Sequence, residues 1–352
     1  MSPVGGVRLR LDAERWREHL DVVARATPGL VPVIKGNGYG FGRTTLAEAA
    51  TKLGSDTIAV GVAGEVPLVR PHFGGDVVIL QRWDPGDEAA RTALTEPQVI
   101  TTVSRLADLD AIAYSDLEPR VLVEVLTSMR RHGIPAADLG SVRPLLQRVR
   151  FEGWSIHLPL RVEGRLAEAG RLAEAALRVT PGPLWVSHLP PEEATQLGDA
   201  AGGEPVSVRL RMGTRLWLGA KSYRQTVATV LDVHSVRRGE RAGYRGRHVP
   251  ADGWIVVVAG GTAHGIGMEA PTSAKTVRQR AIAVATGSLE AAGLALSPYT
   301  INGRKRWFLE PPHMQSSQVF LPRKEQPPAI GDEIPVELRL TTGTVDAVDW
   351  DL

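Results

Sequence analysis

The sequence predicts an α/β fold in two parts: a (β/α)8 TIM-like barrel followed by a smaller, mainly antiparallel β domain. Two observations carry this. Up to residue 222, short runs of branched apolar residues alternate with helical patterns. Eight such strand–helix steps fit within about 200 residues, the count and size of a (β/α)8 barrel. Past that point the runs are strand-like and joined by Gly/Pro turns, as in an antiparallel sheet. The expected boundaries are 1–222 for the barrel and 223–352 for the C-terminal β domain.

In chain order, a leading strand is expected at Val7 to Leu11, then a helix from Asp12 to Ala24 with Asp12 near its cap. The predicted barrel strands are Leu30 to Lys35, Thr57 to Val62, Val77 to Gln81, Val99 to Val103, Arg120 to Val125, Phe151 to Leu158, Leu184 to Leu189 and Val206 to Leu210. Helical patterns lie between them at Thr45 to Leu53, Gly64 to Arg70, Arg105 to Ile112 and Gly164 to Leu177. The second part reads as strands at Val227 to Val233, Trp254 to Ala259, Arg306 to Glu310, Gln318 to Leu321 and Glu333 to Leu340, with a short helix around Val277 to Thr286. There is no internal repeat beyond the barrel's own period.

Composition excludes several classes. The chain has 352 residues, 43% hydrophobic and 23% charged, as in an ordinary globular enzyme. With no cysteine, disulfides, thiolate catalysis and cysteine-ligated metals are out. Acids (39) and bases (41) nearly balance, and the arginines are scattered rather than massed in a stripe, so nucleic acid is not an expected partner. The N-terminus lacks the apolar core of a signal peptide, and no run is long enough to span a bilayer; the expectation is a cytoplasmic enzyme. His264 has no second ligand at helical spacing, so a loop histidine is expected there and no metal site.

Lys35 is the most informative residue. It ends the run Leu30-Val31-Pro32-Val33-Ile34 and opens Gly36-Asn37-Gly38-Tyr39-Gly40-Phe41-Gly42. An amine at a strand end, desolvated or near other cations, can become a nucleophile toward an aldehyde, and pyridoxal phosphate (PLP) is the aldehyde that a lysine commonly holds as a Schiff base. Barrel chemistry sits at the C-terminal strand ends. Arg131 follows the fifth strand, His157 and His188 lie near the ends of the sixth and seventh, and Arg211 follows the eighth before Met212-Gly213-Thr214. Gly213 permits close approach of an anion in the last loops. His188 reads equally as a neighbour of that anion or as a loop cap.

The stretch Val33-Ile34-Lys35-Gly36-Asn37-Gly38-Tyr39-Gly40-Phe41-Gly42 resembles the PLP-lysine signature of alanine racemases. Ala59-Val60-Gly61-Val62 with Glu65 and Arg70 is similar to that family's second barrel unit. Thr127-Ser128-Met129-Arg130-Arg131-His132-Gly133 is similar to its T-G-M-G-R-x-G loop, and Gly153-Trp154-Ser155-Ile156-His157 to its G-L-M-T-H strand. Arg211-Met212-Gly213-Thr214 resembles its phosphate loop. Gly239-Glu240 with Gly243-Tyr244 resembles the segment bearing its catalytic tyrosine, and His313-Met314-Gln315 falls where it has C-M-D.

The resemblance implies an isomerase, a PLP-dependent racemase of alanine or another small amino acid, working by two-base proton transfer in a head-to-tail homodimer. Lys35 would hold PLP and serve one face of the substrate; Tyr244, from the partner subunit, would serve the other. Arg211 would face the pyridine nitrogen and His157 would bridge Arg211 and Tyr244. Tyr39, Ser187, Gly213 and Thr214 would hold the phosphate, and Arg131 with the backbone at Met314 the substrate carboxylate. The chain departs from the family at Glu124 (usually a carbamylated lysine), at Leu126 and Gln315 (aspartates) and at Thr262 and His264 (the tyrosine and aspartate of a Y-A-D-G turn). It also ends at Leu352 without the family's terminal tyrosine segment. These departures keep two alternatives open. One is a non-racemising PLP-binding paralogue, regulatory or accessory to cell-wall synthesis. The other is a decarboxylase or aldolase on the same scaffold.

Overall fold

The computed structural model of the chain describes residues 5–115, 117–160, 162–200, 205–268 and 295–350. The helix expected around Val277 to Thr286 lies outside them. Two compact units form: Arg17–Gly219, and Met1–Trp16 together with Ala220–Leu352. The sequence reading placed one boundary at 222 and kept the N-terminus with the barrel. The first strand, β1 (Val7–Leu11), instead pairs within the second unit, and helix α1 (Ala13–Arg25) leads away from it. Local pattern identifies the strand but not the sheet that it joins.

Unit Arg17–Gly219 contains a closed barrel of eight parallel strands. They are β2 (Leu30–Ile34), β3 (Thr57–Val60), β4 (Asp76–Arg82), β5 (Val99–Val103), β6 (Arg120–Val125), β7 (Arg150–His157), β8 (Leu184–Ser187) and β9 (Val208–Met212). The intervening helices are α2 (Arg43–Lys52), α3 (Val66–Val69), α4 (Glu88–Ala93), α5 (Leu106–Ala113), α6 (Arg143–Leu146), α7 (Arg165–Val179) and α8 (Pro191–Ala200), with α9 (Thr214–Leu218) after the last strand. The eight expected strands are all present. The last runs two residues later than expected, because the Val206 N–H turns back to the Gly198 carbonyl of α8 at 2.9 Å. Arg211 therefore lies inside β9 rather than after it.

Side chains alternate in and out along each strand. Val31, Val33, Ala59, Val78, Ile100, Leu122 and Trp185 form one buried cluster that fills the barrel. Ionic ties lie outside this core. The Arg120 guanidinium joins β4 to β7, with Nη1 2.6 Å and Nη2 2.7 Å from the Asp76 carboxylate and Nε 2.6 Å from Glu152 Oε1.

The other unit is built on one eight-stranded sheet. Its further strands are β10 (Arg224–Val236), the small pair β11 (Arg241–Ala242) and β12 (Arg247–His248), then β13 (Gly253–Ala259), β14 (Leu296–Ile301), β15 (Arg304–Phe308), β16 (Ser316–Pro322), β17 (Glu333–Pro335) and β18 (Ala347–Trp350). The sheet order is β14-β15-β16-β13-β10-β1-β18, with β17 also on β10 and β11-β12 a separate hairpin. All pairings are antiparallel except β1 with β18. The expected strand Glu333 to Leu340 is cut short at Pro335, which has no N–H for a ladder. Val7, Val230, Val256, Val258, Tyr299, Phe308, Val319 and Leu321 form its core. Among the described residues, no helix is long and apolar enough to cross a membrane.

Candidate active site

Barrel periodicity aims Lys35 inward. Val31 and Val33 face the interior cluster, and Lys35 is the next residue of that parity, just beyond the end of β2. The following turn needs left-handed backbone: Gly36 and Gly38 have φ of 60° and 65°, and Tyr39, a non-glycine, has 55°. The Lys35 carbonyl accepts the Gly38 N–H at 3.1 Å. A second lock comes from Glu65, which is buried. Its Oε1 accepts the Gly36 N–H at 2.8 Å and its Oε2 the Gly61 N–H at 2.7 Å, joining the Lys35 turn to the end of β3. The sequence offered only a hint of this role, a glutamate five residues past a strand.

One row of three strands carries the next residues. His157, Ser187 and Arg211 are register partners on β7, β8 and β9. Arg211 is 6% exposed; its Nη1 donates to Ser155 Oγ at 2.9 Å and its Nη2 to the Ile156 carbonyl at 3.3 Å. Its Nε has no partner among the described residues. Ser155 is in turn the register partner of Glu124, a buried carboxylate that accepts from Ser104 Oγ at 2.6 Å. The His157 and His188 rings meet edge to face with centroids 5.0 Å apart. His188, which the sequence left undecided, has φ 65°, and its carbonyl accepts from Arg165 Nη1 at 2.6 Å.

Arg131 lies in the loop after β6. The Thr127 hydroxyl donates to the His157 carbonyl at 2.8 Å, and the Leu126 N–H donates to the Ile134 carbonyl at 2.9 Å, folding that loop back on the barrel. Of the adjacent pair Arg130 and Arg131, it is the Arg131 charge that acts on Lys35, His157, His188 and Arg211. At the last strand a Cβ added to Gly213 would lie 2.0 Å from the Tyr39 hydroxyl, so bare backbone is required beside that group.

The electrostatics follow from crowded cations in a low-dielectric setting. Lys35 is exposed at the end of β2, yet enough protein surrounds the amine that burial is the largest influence lowering its pKa. Arg131 and Arg211 lower it further, and Glu65 opposes them. Burial, then Arg211 and Arg131, push His157 down to about 2. Burial and Arg211 push His188 down to about 4. Both imidazoles are neutral at physiological pH. Burial lowers Arg211 to about 10, which still leaves it charged, with Glu124 working in the opposite direction. Burial, with Glu65, raises the Tyr39 phenol to about 12.

Tyr244 and Met314 belong to the other unit, where they are 89% and 71% exposed. Tyr244 lies between β11 and β12. Met314 precedes β16, and its carbonyl accepts the Ala263 N–H at 3.0 Å. His264, expected as a loop histidine, is buried in a tight turn with Nε2 3.1 Å from both Asp346 carboxylate oxygens.

Comparisons with known proteins bear on the fold. Residues 11–180 match the family model described as alanine racemase, N-terminal domain. The chain is 28% identical over 151 residues to an alanine racemase of Nitratidesulfovibrio vulgaris, covering 41% of this chain and 40% of that protein. It is 31% identical over 144 residues to one of Symbiobacterium thermophilum, covering 37% and 36%. The chain thus matches well under half the length of these curated relatives. Solved structures extend the likeness in fold. Alanine racemase from E. faecalis superposes with TM-score 0.67 at 18% identity, covering 98% of both chains. The enzyme from Bartonella henselae, solved with covalently bound pyridoxal phosphate, gives 0.68 at 16%, covering 95% and 91%. Over residues 11–180 the chain is thus similar to the N-terminal domain of alanine racemases, and its barrel and second sheet share the fold of solved alanine racemases.

Proposed function

We propose that the chain is a PLP-dependent amino-acid racemase acting on alanine or another small amino acid. The observation that carries the reading is the Lys35 amine at the end of β2, its pKa lowered by burial and by Arg131 and Arg211, and its charge acting in turn on His157 and His188. The residues present fit the cofactor. Arg211 Nε is a buried donor awaiting an acceptor, and Gly213 leaves bare backbone beside the Tyr39 hydroxyl. Lys35 would hold pyridoxal phosphate covalently through Nζ and Arg211 would face its ring nitrogen; Tyr39, Ser187, Gly213 and Thr214 would hold its phosphate. When bound, the cofactor supplies an electron sink that acidifies the α-proton of an amino acid.

The chain's own residues do the rest. Arg131 binds the substrate carboxylate. Lys35 Nζ takes or returns the α-proton on one face, and its lowered pKa enlarges the free-amine fraction near neutral pH. Tyr244, from a second copy of the chain, does the same on the other face through its hydroxyl. His157, neutral, bridges Arg211 and Tyr244. Because Arg211 keeps its proton, it would offer the ring nitrogen a hydrogen bond without protonating it. That would restrain the sink and favour simple return of a proton to the α-carbon.

The protein loaded with pyridoxal phosphate should be yellow, and borohydride should bleach it while fixing the cofactor on Lys35. A Lys35→Ala protein that keeps the same absorption band overturns the reading. Solvent deuterium should enter the α-position of at least one amino acid in a panel. A panel without exchange supports the non-racemising paralogue. That second reading is favoured by Glu124, whose carboxylate is engaged by Ser104 within the barrel.

A further inference from the structure

The turn bearing Tyr244 is held by two residues that the proposed reaction does not use. Glu310 lies just past β15 and is 3% exposed. Its Oε1 accepts the Tyr244 N–H at 3.0 Å and lies 2.6 Å from His313 Nε2; its Oε2 accepts the Arg245 N–H at 3.2 Å. Gly243 has φ 76°, and a Cβ there would lie 2.3–2.5 Å from three atoms of this carboxylate, which fills the space a side chain would take. The His313 ring meets the Tyr244 ring edge to face, with centroids 4.8 Å apart and planes at 77°. His313 is itself fixed: its N–H donates to the Ser316 carbonyl at 2.9 Å, and its carbonyl accepts the Thr262 N–H at 2.8 Å. One buried carboxylate thus grips two consecutive amides and an imidazole, and the imidazole reaches the phenol ring.

We propose that Glu310 and His313 are positioning residues for Tyr244, the carboxylate fixing its backbone and the imidazole its ring. The inference rests on the racemase reading of Tyr244. A proton-transfer group must stand within hydrogen-bond reach of one atom, and a misplacement of about 1 Å costs on the order of 100-fold in rate. Tyr244 sits on an exposed turn, so core packing does not place it. Bonds to an ionised acceptor are about twice as strong as neutral ones, which suits a clamp made of few contacts. Burial alone would raise the Glu310 carboxyl, but the bonds from Tyr244, His313 and Arg245 hold it below its usual range, so it stays an anion at neutral pH. A carboxylate that merely capped the turn would need the two amides only. The ring of His313, joining it to the phenol face, gives the arrangement a direction.

The test uses the full chain loaded with pyridoxal phosphate. Amide hydrogen exchange over residues 240–249, read by mass spectrometry, needs no turnover. Glu310→Gln should speed exchange at Tyr244 and Arg245 roughly tenfold or more, and parent-like exchange overturns the clamp. Solvent-deuterium incorporation is then measured separately from the L- and D-substrates. Glu310→Gln and His313→Ala should slow exchange through the face that Tyr244 serves by roughly tenfold or more, through kcat rather than KM. Exchange through the Lys35 face and the cofactor's absorption band should persist. His313→Phe, which keeps a ring edge against the phenol, should recover most of the His313→Ala loss. Equal losses on both faces, or no recovery by phenylalanine, overturn the assignment. If the parent protein exchanges no α-proton on either face, it is the racemase reading that fails, and amide exchange alone then judges the clamp.

Discussion

Glu65→Gln tests the lock behind Lys35. The carboxylate receives the Gly36 N–H at 2.8 Å on Oε1 and the Gly61 N–H at 2.7 Å on Oε2, and Arg43 Nε lies 3.4 Å from Oε1. Glutamine has nearly the same shape but one acceptor oxygen, so one of the two amides must face an NH2 group. A hydrogen bond to a charged acceptor contributes about 1.5–3 kcal/mol and a neutral one about 1 kcal/mol. Losing one charged bond and reducing the other to neutral therefore destabilises the protein by about 2–5 kcal/mol. Urea unfolding followed by tryptophan fluorescence measures this as a lowered midpoint at unchanged slope. The substitution also removes the one negative charge that raises the Lys35 pKa against burial, Arg131 and Arg211. The Lys35 pKa should therefore fall further, and the pH dependence of its reaction with an acylating reagent should shift to lower pH. A variant within about 0.5 kcal/mol of the parent, with Lys35 reactivity unmoved, would refute the argument, because a substitution without a structural role falls in that range.

Three further outcomes follow from the same geometry. Gly213→Ala places a methyl group 2.0 Å from the Tyr39 hydroxyl, so pyridoxal phosphate affinity should drop roughly tenfold or more in an absorbance titration, with partial recovery in the Tyr39→Phe double variant. His157 and His188 are held at about 2 and about 4, both below the value of about 6.5 expected in the unfolded chain. The unfolded state then binds more protons below about pH 6.5, so stability is full above that pH and falls as pH drops toward 4. Replacing either histidine with glutamine should flatten that acid limb in a series of urea melts. Arg120→Ala leaves the partly buried Asp76 and Glu152 carboxylates without their shared partner and should cost between the roughly 1 kcal/mol of an exposed pair and the roughly 3 kcal/mol of a buried one in a thermal melt.

The barrel was legible because parallel strands buried on both faces read as apolar runs, and a lysine ending the first of them is unusual in such a run. Arg211 misled the strand reading for a related reason. A charge inside an apolar strand looks like its end, yet the Ser155 hydroxyl and the Ile156 carbonyl satisfy this one within the barrel. Strands β14 and β18 escaped notice because Leu296–Ile301 carries a proline and Ala347–Trp350 is short, with an aspartate that pairs with Arg8 at 2.6 Å. Glu65 and Glu310 show the deeper limit. Each looks like an ordinary surface acid in its local window. Only folding brings Gly36 beside Glu65 and the Tyr244 turn beside Glu310, 29 and 66 residues away in sequence.

The pairing of Val7 with Ala228, and of Arg8 with Ala347, bears on how the protein is made. β1 leaves the ribosome ahead of both its neighbours, which follow only after more than 200 and more than 300 further residues. The barrel's strands lie entirely within the first interval, so the ring can close while β1 waits unpaired. A nascent chain stalled far enough past residue 219 for the barrel to clear the ribosome's exit tunnel should resist protease across the barrel, and residues 5–11 should be cleaved readily until β10 and β18 have also emerged.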